Sequence, residues 1–266
     1  MSGGDDRIVV EGLHKVFRQT GTGQAVVAIE RLDFAIERGE MVAIVGQTGC
    51  GKSTFLNLLI GLDHPSAGRI AIHGKTPYGD FGQFRGRLAA VFQQDRLLPW
   101  RTALDNVRLG VEILGHPPAE QDRRARTWLE RLGLERFLGA YPHELSGGMR
   151  QRVALARAFA LEPEFLLADE AFGHLDEVTA AALRRTFLDL ARTEGNTAIL
   201  VTHQLEEAIE MGGRILVFGK PATLLADIRL KAGPAEAVAQ LRTTIQRMLE
   251  RNQSDPDVFP GKESTR

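Results

Sequence analysis

A glycine-rich segment near the start of the chain has the residue types needed to hold phosphate groups. Residues 46–53 read G-Q-T-G-C-G-K-S, directly after the apolar run 41–45 and before the apolar pattern 54–59. Glycines let backbone N–H groups turn towards phosphates, and the following helix adds the positive end of its dipole. In such a loop Lys52 reaches the β and γ oxygens and Ser53 ligates Mg²⁺. The predicted nucleotide-binding residues are Gly46, Gln47, Thr48, Gly49, Cys50, Gly51, Lys52, Ser53 and Thr54.

Two adjacent carboxylates end a second apolar run, residues 165–168. Asp169 and Glu170 would emerge at the carboxyl end of a strand, the usual ligand edge of an open α/β sheet. Since neighbouring strand residues point in opposite directions, Asp169 can hold Mg²⁺ through water while Glu170 faces the water that attacks a γ-phosphate. Alone, the pair would be read as a solvated strand end. Together with the phosphate loop it predicts a metal ligand and a catalytic base.

A third segment, residues 145–152, reads L-S-G-G-M-R-Q-R and opens the helical pattern 153–158. Ser146 is a good N-cap residue, and two glycines at a helix start expose N–H groups to an anion. The segment is therefore a second phosphate-binding device. Its predicted binding residues are Leu145, Ser146, Gly147, Gly148 and Gln151.

Short apolar runs alternate with longer helical patterns along the chain, and this rhythm predicts an α/β fold with a mostly parallel sheet. With the phosphate loop, it predicts the core of a P-loop nucleoside triphosphatase (NTPase). Residues 7–37 form an antiparallel β layer in this interpretation, divided by a turn at 21–23. A helical subdomain is inserted at about 95–160. The predicted parallel strands are 41–45, 88–92, 165–168 and 197–201.

The C-terminal part departs from this rhythm. We predict a nucleotide-binding domain over residues 1–233, an amphipathic helix over 234–252, and a disordered tail over 253–266 that is polar and contains two prolines. The helix is indicated by apolar residues at steps of three and four. These are Val238, Leu241, Ile245, Met248 and Leu249.

Composition excludes several classes of protein. The 266 residues carry 33 basic and 34 acidic side chains, a net charge of −1, so there is no broad basic field for nucleic acid. One cysteine cannot close an internal disulfide, and the start lacks the pattern of a secretory signal, which makes the cytoplasm the default compartment. No apolar run approaches the roughly 18 residues needed to cross a bilayer, so we expect any membrane association to be peripheral.

The three motifs resemble those of the ATP-binding cassette (ABC) family, from about Val9 to Phe218. The resemblance implies further roles. Phe17 matches the aromatic residue that stacks on adenine, and Gln93 matches the glutamine that touches Mg²⁺ and senses the membrane partner. His203 is similar to the switch histidine that contacts the γ-phosphate, and Asp176 to the aspartate of the D-loop. The implied catalytic residues are thus Glu170, His203 and Gln93.

The family resemblance also implies partners. In that family the signature of one copy closes on the ATP held by the phosphate loop of a second copy, so we expect a dimer. The Leu-Leu-Pro-Trp segment 97–100 resembles the nitrate, sulfonate and taurine importers. This implies integral membrane permease subunits, an indirect link to a periplasmic solute-binding protein, and a location on the cytoplasmic face of the plasma membrane.

Two alternatives remain open at this point. An ATPase for lipid or lipoprotein export would share every nucleotide motif and differ around residues 95–107. A soluble ABC ATPase, for example in iron–sulfur assembly, is also a single cassette. Two departures from the family pattern, Ala171 after Glu170 and Gln204 after His203, leave all phosphate and metal contacts in place and bear on the rate of hydrolysis.

Overall fold

The computed structural model describes residues 7–18, 24–211, 213–230 and 235–254. The predicted turn at 21–23 and the predicted tail beyond residue 254 lie outside the described residues. The chain forms two compact units. The first comprises the described parts of Met1–Ile36, Val42–Tyr78 and Val201–Arg266, and the second comprises Glu37–Met41 and Gly79–Leu200.

The structure assigns strands and helices throughout these ranges. The strands are β1 Ile8–Arg18, β2 Ala25–Ile36, β3 Met41–Gly46, β4 Ala67–Ile72, β5 Leu88–Phe92, β6 Phe165–Asp169, β7 Thr197–Thr202, β8 Arg214–Phe218 and β9 Ala222–Arg229. The helices are α1 Lys52–Leu59, α2 Phe81–Phe84, α3 Ala103–Ile113, α4 Pro118–Arg131, α5 Gly147–Phe159, α6 Glu177–Thr193, α7 Leu205–Glu210 and α8 Ala235–Ser254.

The first unit is built on strands in the order β4-β1-β2-β9-β8-β3. The strand β1 pairs antiparallel with both β2 and β4, which confirms the predicted N-terminal antiparallel layer. The strand β3 pairs parallel with β8, and Gly46 lies opposite Phe218. This register places the carboxyl end of β3, where the phosphate loop begins, beside the end of β8.

An aromatic cluster closes the core of this unit. Phe34, Phe55 and Phe218 come from β2, α1 and β8, and their ring centroids are 5.6 to 6.2 Å apart in tilted or edge-on pairs. Each such pair stabilises the fold by about 0.5–1.5 kcal/mol beyond the contribution of its buried area. Because Phe55 lies in the first turns of α1, the cluster fixes the helix that follows the phosphate loop against the sheet.

The second unit contains β7, β6 and β5 as neighbours, with β5 and β6 parallel. The helices α3, α4 and α5 fall between β5 and β6 in the chain. In that helical insertion Trp128 of α4 stacks on Phe159 of α5, with centroids 4.8 Å apart. The predicted α/β fold with a helical insertion is confirmed.

The C-terminal helix α8 belongs to the first unit and packs against the rest of it through a narrow face. Ile245 is fully buried, and Asn252, two turns later, is buried as well. Among the described residues, no helix is both long enough and apolar enough to cross a membrane.

Candidate functional site

The phosphate loop depends on glycines at positions where no side chain fits. A β-carbon on Gly46 would lie 2.8 Å from both the Cys50 sulfur and the Phe218 carbonyl oxygen. Gly51 has a φ of 114°, and a β-carbon there would lie 2.3 Å from the carbonyl oxygen of Ala28. Both contacts are shorter than real carbon contacts allow, so the tight course of the loop requires these two glycines.

Lys52, the first residue of α1, folds back into the loop. Its ammonium donates to the carbonyl oxygens of Gly46 at 2.7 Å and Gln47 at 2.9 Å, and the side chain is buried. Cys50 lies beneath it, 4.0 Å from the Lys52 nitrogen. Burial raises the pKa of the Cys50 thiol, so the group stays protonated at neutral pH and serves as a small filler. The loop thus encloses a positive charge whose hydrogen bonds go to two of the loop's own backbone carbonyls.

The remaining predicted phosphate contacts lie on the open side of the loop. Gly49 has a φ of 74°, and Thr48 and Ser53 are exposed while Thr54 is half-buried. Ser53 and Thr54 belong to the first turn of α1, where N–H groups have no intrahelical acceptor. Their position suits an anion.

Phe17 lies near the end of β1 and is 42% exposed, so it is not a core residue. The Lys15 ammonium lies 4.8 Å from the centroid of its ring. An exposed aromatic ring with a cation against it is suited to stacking on a flat ligand.

His203 directly follows β7 and is exposed. The turn around it is fixed by Thr202, whose hydroxyl donates to the Glu207 carboxylate and accepts the N–H of Gln204 at 3.0 Å. Gln204 starts α7 without a side-chain cap of its own. The threonine hydroxyl therefore satisfies the backbone at the position where this sequence departs from the family.

In the second unit, the carboxylates stand at the end of β6 as predicted. Asp169 pairs with Phe92 of β5, and both Asp169 and Glu170 are half-buried. Glu170 has a φ of 48°, in the left-handed region that costs a residue other than glycine about 1–3 kcal/mol. Its carbonyl oxygen accepts the N–H of Gly173 at 3.2 Å. The backbone strain turns the chain sharply at the proposed base.

Gln151 holds this turn from helix α5. Its side-chain nitrogen donates to the carbonyl oxygens of Ala171 at 2.7 Å and Phe92 at 3.1 Å. The residue is fully buried, and its Oε1 atom has no partner among the described residues. One amide therefore joins the residue after Glu170 to the residue before Gln93. Sequence reasoning placed Gln151 in the signature and missed this link, because the two carbonyls are 59 and 20 residues away.

Gln93 itself is exposed, and the segment after it is held by arginines of α5. Arg150 donates to the Asp95 carboxylate at 3.0 Å, and Arg157 donates to the Asp95 carbonyl oxygen at 2.7 Å. Burial lowers the pKa of the Arg157 guanidinium, and the nearby Asp95 carboxylate opposes this change. The signature helix therefore fixes the backbone that leads from Gln93 towards Trp100.

The signature segment opens a cavity of about 510 Å³ within the second unit. Ser146 caps α5 by accepting the N–H of Met149 at 3.3 Å, and Asp176 caps α6 by accepting the N–H of Thr179 at 3.0 Å. The Thr179 N–H and hydroxyl lower the pKa of Asp176. The cavity is lined by Ser146, Gly147, Gly148, Met149, Arg152, His174, Leu175, Asp176 and Thr179. Leu145 and Gln151 lie behind this wall and are buried.

Comparison with known proteins agrees with these features. The family model described as ABC transporter matches residues 29–173, more than half of the chain. The taurine import ATP-binding protein of Pseudomonas aeruginosa is 42% identical over 220 residues, 82% of this chain and 81% of that protein. The nitrate import ATP-binding protein of Synechocystis is 37% identical over 235 residues, 88% of this chain and 86% of that protein.

Solved structures lead to the same family. A dimeric bacterial ABC transporter cassette is 32% identical, with a TM-score of 0.75 over 85% of this chain and 100% of that one. A post-hydrolysis dimer of a cassette bound to ADP and phosphate is 31% identical, with the same TM-score and coverage. The chain belongs to the ABC transporter family and is one of its ATP-hydrolysing subunits.

Proposed function

We propose that this chain energises the import of a small anion or organic solute, such as a sulfonate or nitrate, through a separate permease. The phosphate loop around Lys52 and the signature cavity at Ser146 support the ATP-driven part of the proposal, and the observation that carries import is the similarity to taurine and nitrate import ATP-binding proteins. A single chain supplies one such loop and one such cavity. The named relatives import taurine or nitrate, which supports the direction of transport and the substrate class.

The nucleotide is ATP, and its phosphates would lie against the loop 46–54. The Lys52 ammonium donates to the neutral carbonyl oxygens of Gly46 and Gln47, and phosphate oxygens are stronger, charged acceptors for it. Phe17 would stack on adenine, in keeping with its exposed ring. This assigns both ends of the nucleotide to the first unit.

Mg²⁺ would be held by Ser53, Gln93 and Asp169. Hydroxyl, amide and carboxylate oxygens are the hard ligands that this ion prefers, and it is usually bound by one or two side chains together with substrate phosphates. Among the described residues, no cluster of three or more His, Cys, Asp or Glu side chains could hold a metal. A site completed by phosphates and water needs no such cluster. When bound, the ion neutralises charge on the β- and γ-phosphates.

Hydrolysis requires a base and a contact to the γ-phosphate. The Glu170 carboxylate would accept a proton from the attacking water, whose oxygen bonds to the γ-phosphorus as the bond to ADP breaks. His203 would donate to a γ-phosphate oxygen. The strained backbone at Glu170, held by Gln151, sets the direction of the carboxylate.

A second copy of the chain would complete each site. Ser146, Gly147 and Gly148 line an open cavity at the start of α5, where helix N–H groups suit a γ-phosphate carried by the partner. Asp176 lines the same wall. Solved relatives form dimers, which supports this arrangement.

The segment after Gln93 would contact the permease on the cytoplasmic face of the plasma membrane. Trp100 is 72% exposed although it is a large aromatic residue, and the Leu98 backbone beside it is fixed by Asn106. An exposed tryptophan beside a fixed backbone is a typical anchor for a partner helix. A periplasmic binding protein would deliver solute to the permease. In this scheme residues 1–233 are the nucleotide-binding domain, with the helical subdomain at about 95–160 as its permease-facing part.

The test is purification of the tagged chain from detergent-solubilised membranes of its own organism. We expect an integral membrane permease to co-purify, and ATP hydrolysis by the reconstituted complex to rise several-fold when a periplasmic binding protein loaded with taurine or nitrate is added. The control is Trp100→Ala, which should lose the permease and keep ATP binding. Stimulation from the cytoplasmic side alone, without a binding protein, would indicate export.

A further inference from the structure

The C-terminal helix α8 makes two polar contacts around the phosphate loop. The Gln47 side-chain nitrogen donates to the carbonyl oxygen of Leu249 at 2.9 Å. Asn252, which is buried, accepts the backbone N–H of Lys220 through its Oδ1 atom. All four residues belong to the first unit. Helix α8 therefore contacts the loop itself and the segment between β8 and β9.

Asn252 fits closely against that segment. A β-carbon on Gly219, the residue before Lys220, would lie 3.0 Å from the Asn252 Oδ1 atom and 2.7 Å from the Thr223 hydroxyl oxygen. The Gly219 N–H donates to the Thr223 carbonyl oxygen at 2.9 Å. Asn252 on one side and Thr223 on the other thus restrict the backbone of Gly219, just before Lys220.

The Lys220 side chain points to the phosphate loop. Its ammonium nitrogen lies 3.7 Å from the point that a β-carbon on Gly49 would occupy. Its charge also acts on the Cys50 thiol, where it opposes the rise in pKa caused by burial. Lys220 is exposed, and it forms no ion pair with any residue that the structure describes. Because no described carboxylate pairs with it, the Lys220 ammonium beside the loop is available for an anionic ligand.

We propose that Lys220 is a second cationic contact for the nucleotide phosphates, and that Asn252 of helix α8 is the positioning residue that holds it beside the loop. The inference rests on the proposed nucleotide site and extends it to a residue and a helix outside the three motifs. Lys52 is buried inside the loop, whereas Lys220 approaches Gly49 from outside. The two charges would therefore act on the phosphates from different sides.

The exposure of Lys220 determines how its effect should depend on salt. An exposed charge near a phosphate is screened with a Debye length of about 10 Å at 0.1 M salt and about 3 Å at 1 M. Lys52, being buried, is screened much less. A contribution from Lys220 should consequently fade at high salt while that of Lys52 persists.

The experiment measures equilibrium binding of ATP to the full chain by titration calorimetry at 0.05 M and 1 M salt. We expect Lys220→Met to weaken binding about five- to tenfold at low salt and less than about twofold at high salt. Lys220→Arg should retain at least half of the affinity. The control is Lys75→Met, an exposed lysine on the turn after β4, which should bind like the parent. Equal affinities of Lys220→Met and the parent at low salt would overturn the proposal.

The positioning role has its own variant. Asn252→Ala removes the acceptor for the Lys220 N–H and keeps both lysines, so we expect it to raise the KM for ATP about threefold at low salt and to leave kcat unchanged. In the Lys220→Met background the same change should have no further effect on KM. An additional, independent loss there would show that Asn252 acts only through stability.

The Lys52→Ala variant separates this inference from the proposed function. If Lys52→Ala loses ATP and Lys220→Met binds normally, the nucleotide site stands and the role of Lys220 is wrong. If Lys52→Ala binds ATP as the parent does, the proposed nucleotide site itself is wrong.

Discussion

The phosphate loop and the turn at Glu170 are both tight backbone segments, yet they are held in different ways. The loop between Gly46 and Lys52 closes on itself, because its glycines permit the path and its lysine bonds to two of its own carbonyls. The turn at Glu170 is held from outside by Gln151, which also binds the carbonyl of Phe92. The first device is local, and the second joins three segments of the second unit.

This difference has a consequence for function. A loop held mainly by bonds among its own residues keeps its shape with few outside contacts, such as the one from Gln47 to Leu249 of α8, which suits the task of retaining ATP. A turn linked by one buried amide to the residue before Gln93 depends on that amide for its shape. We therefore expect damage to the loop to abolish binding, and damage at Gln151 to impair stability and hydrolysis while binding persists.

The largest effect on ATP binding is expected for Lys52→Ala. Removal of the enclosed ammonium should weaken ATP binding by at least about 100-fold, since a charge-assisted contact to phosphate is lost from a buried site. Calorimetric titration measures this, and thermal unfolding checks that the fold survives. Retention of affinity within tenfold would show that the loop does not work locally.

The next variant, Gln151→Leu, removes the link at Glu170. One buried and one part-buried carbonyl lose their donor, so we expect a loss of about 2 kcal/mol in the free energy of unfolding, measured with urea. ATP affinity should change less than about threefold, and kcat should fall. Gln240→Leu, at an exposed position on α8, is the matched control and should leave the free energy of unfolding, the ATP affinity and kcat unchanged. A normal kcat in Gln151→Leu would mean that the turn holds its shape unaided.

A smaller effect is expected at the edge of the nucleotide site. Phe17→Ala should weaken ATP binding about five- to tenfold if the ring stacks on adenine. Val26 lies opposite Phe17 on β2 and is similarly exposed, so Val26→Ala serves as its control and should bind normally. Unchanged affinity in Phe17→Ala would assign the ring to the surface of the β layer only.

The smallest effect is expected at the ion pairs of Glu120 with Arg123 and Arg124 on helix α4. Hydrogen bonds from Arg123 and then Arg124 lower the pKa of Glu120 from 4.5 to about 2. A lowered pKa means that this contribution to stability is present above pH 4.5 and is lost as the pH falls towards about 2. Glu120→Gln should therefore lower the Tm slightly at pH 7 and not at pH 2. A difference that persists at pH 2 would point to a cause other than ionisation.

The sequence was sufficient for the local device and for the order of the elements. Glycine spacing, an apolar strand before it and a helix after it define the loop, because each requirement lies within about 20 residues of 46–54. The alternation of apolar runs likewise predicted the α/β fold, and the antiparallel β1–β2 layer is confirmed.

The contacts that sequence reasoning missed join distant segments. Gln151 was read as part of the signature, although its amide faces Phe92 and Ala171, and nothing in its neighbourhood names those partners. Helix α8 was predicted from its periodicity, but the acceptor it offers to Gln47 is a backbone carbonyl, which carries no residue type. Side-chain pairing across the fold is decided by packing, and a linear pattern does not encode it directly.

The central claim is that each site needs residues of two copies, with Glu170 as the base. The direct measurement is sedimentation equilibrium of Glu170→Gln with and without ATP. We predict twice the monomer mass with ATP, because binding persists while hydrolysis stops, and the monomer mass without it. The double variant Glu170→Gln with Ser146→Arg should bind ATP and stay monomeric. A Glu170→Gln chain that remains monomeric at saturating ATP, or a dimer that Ser146→Arg does not disturb, would contradict the claim.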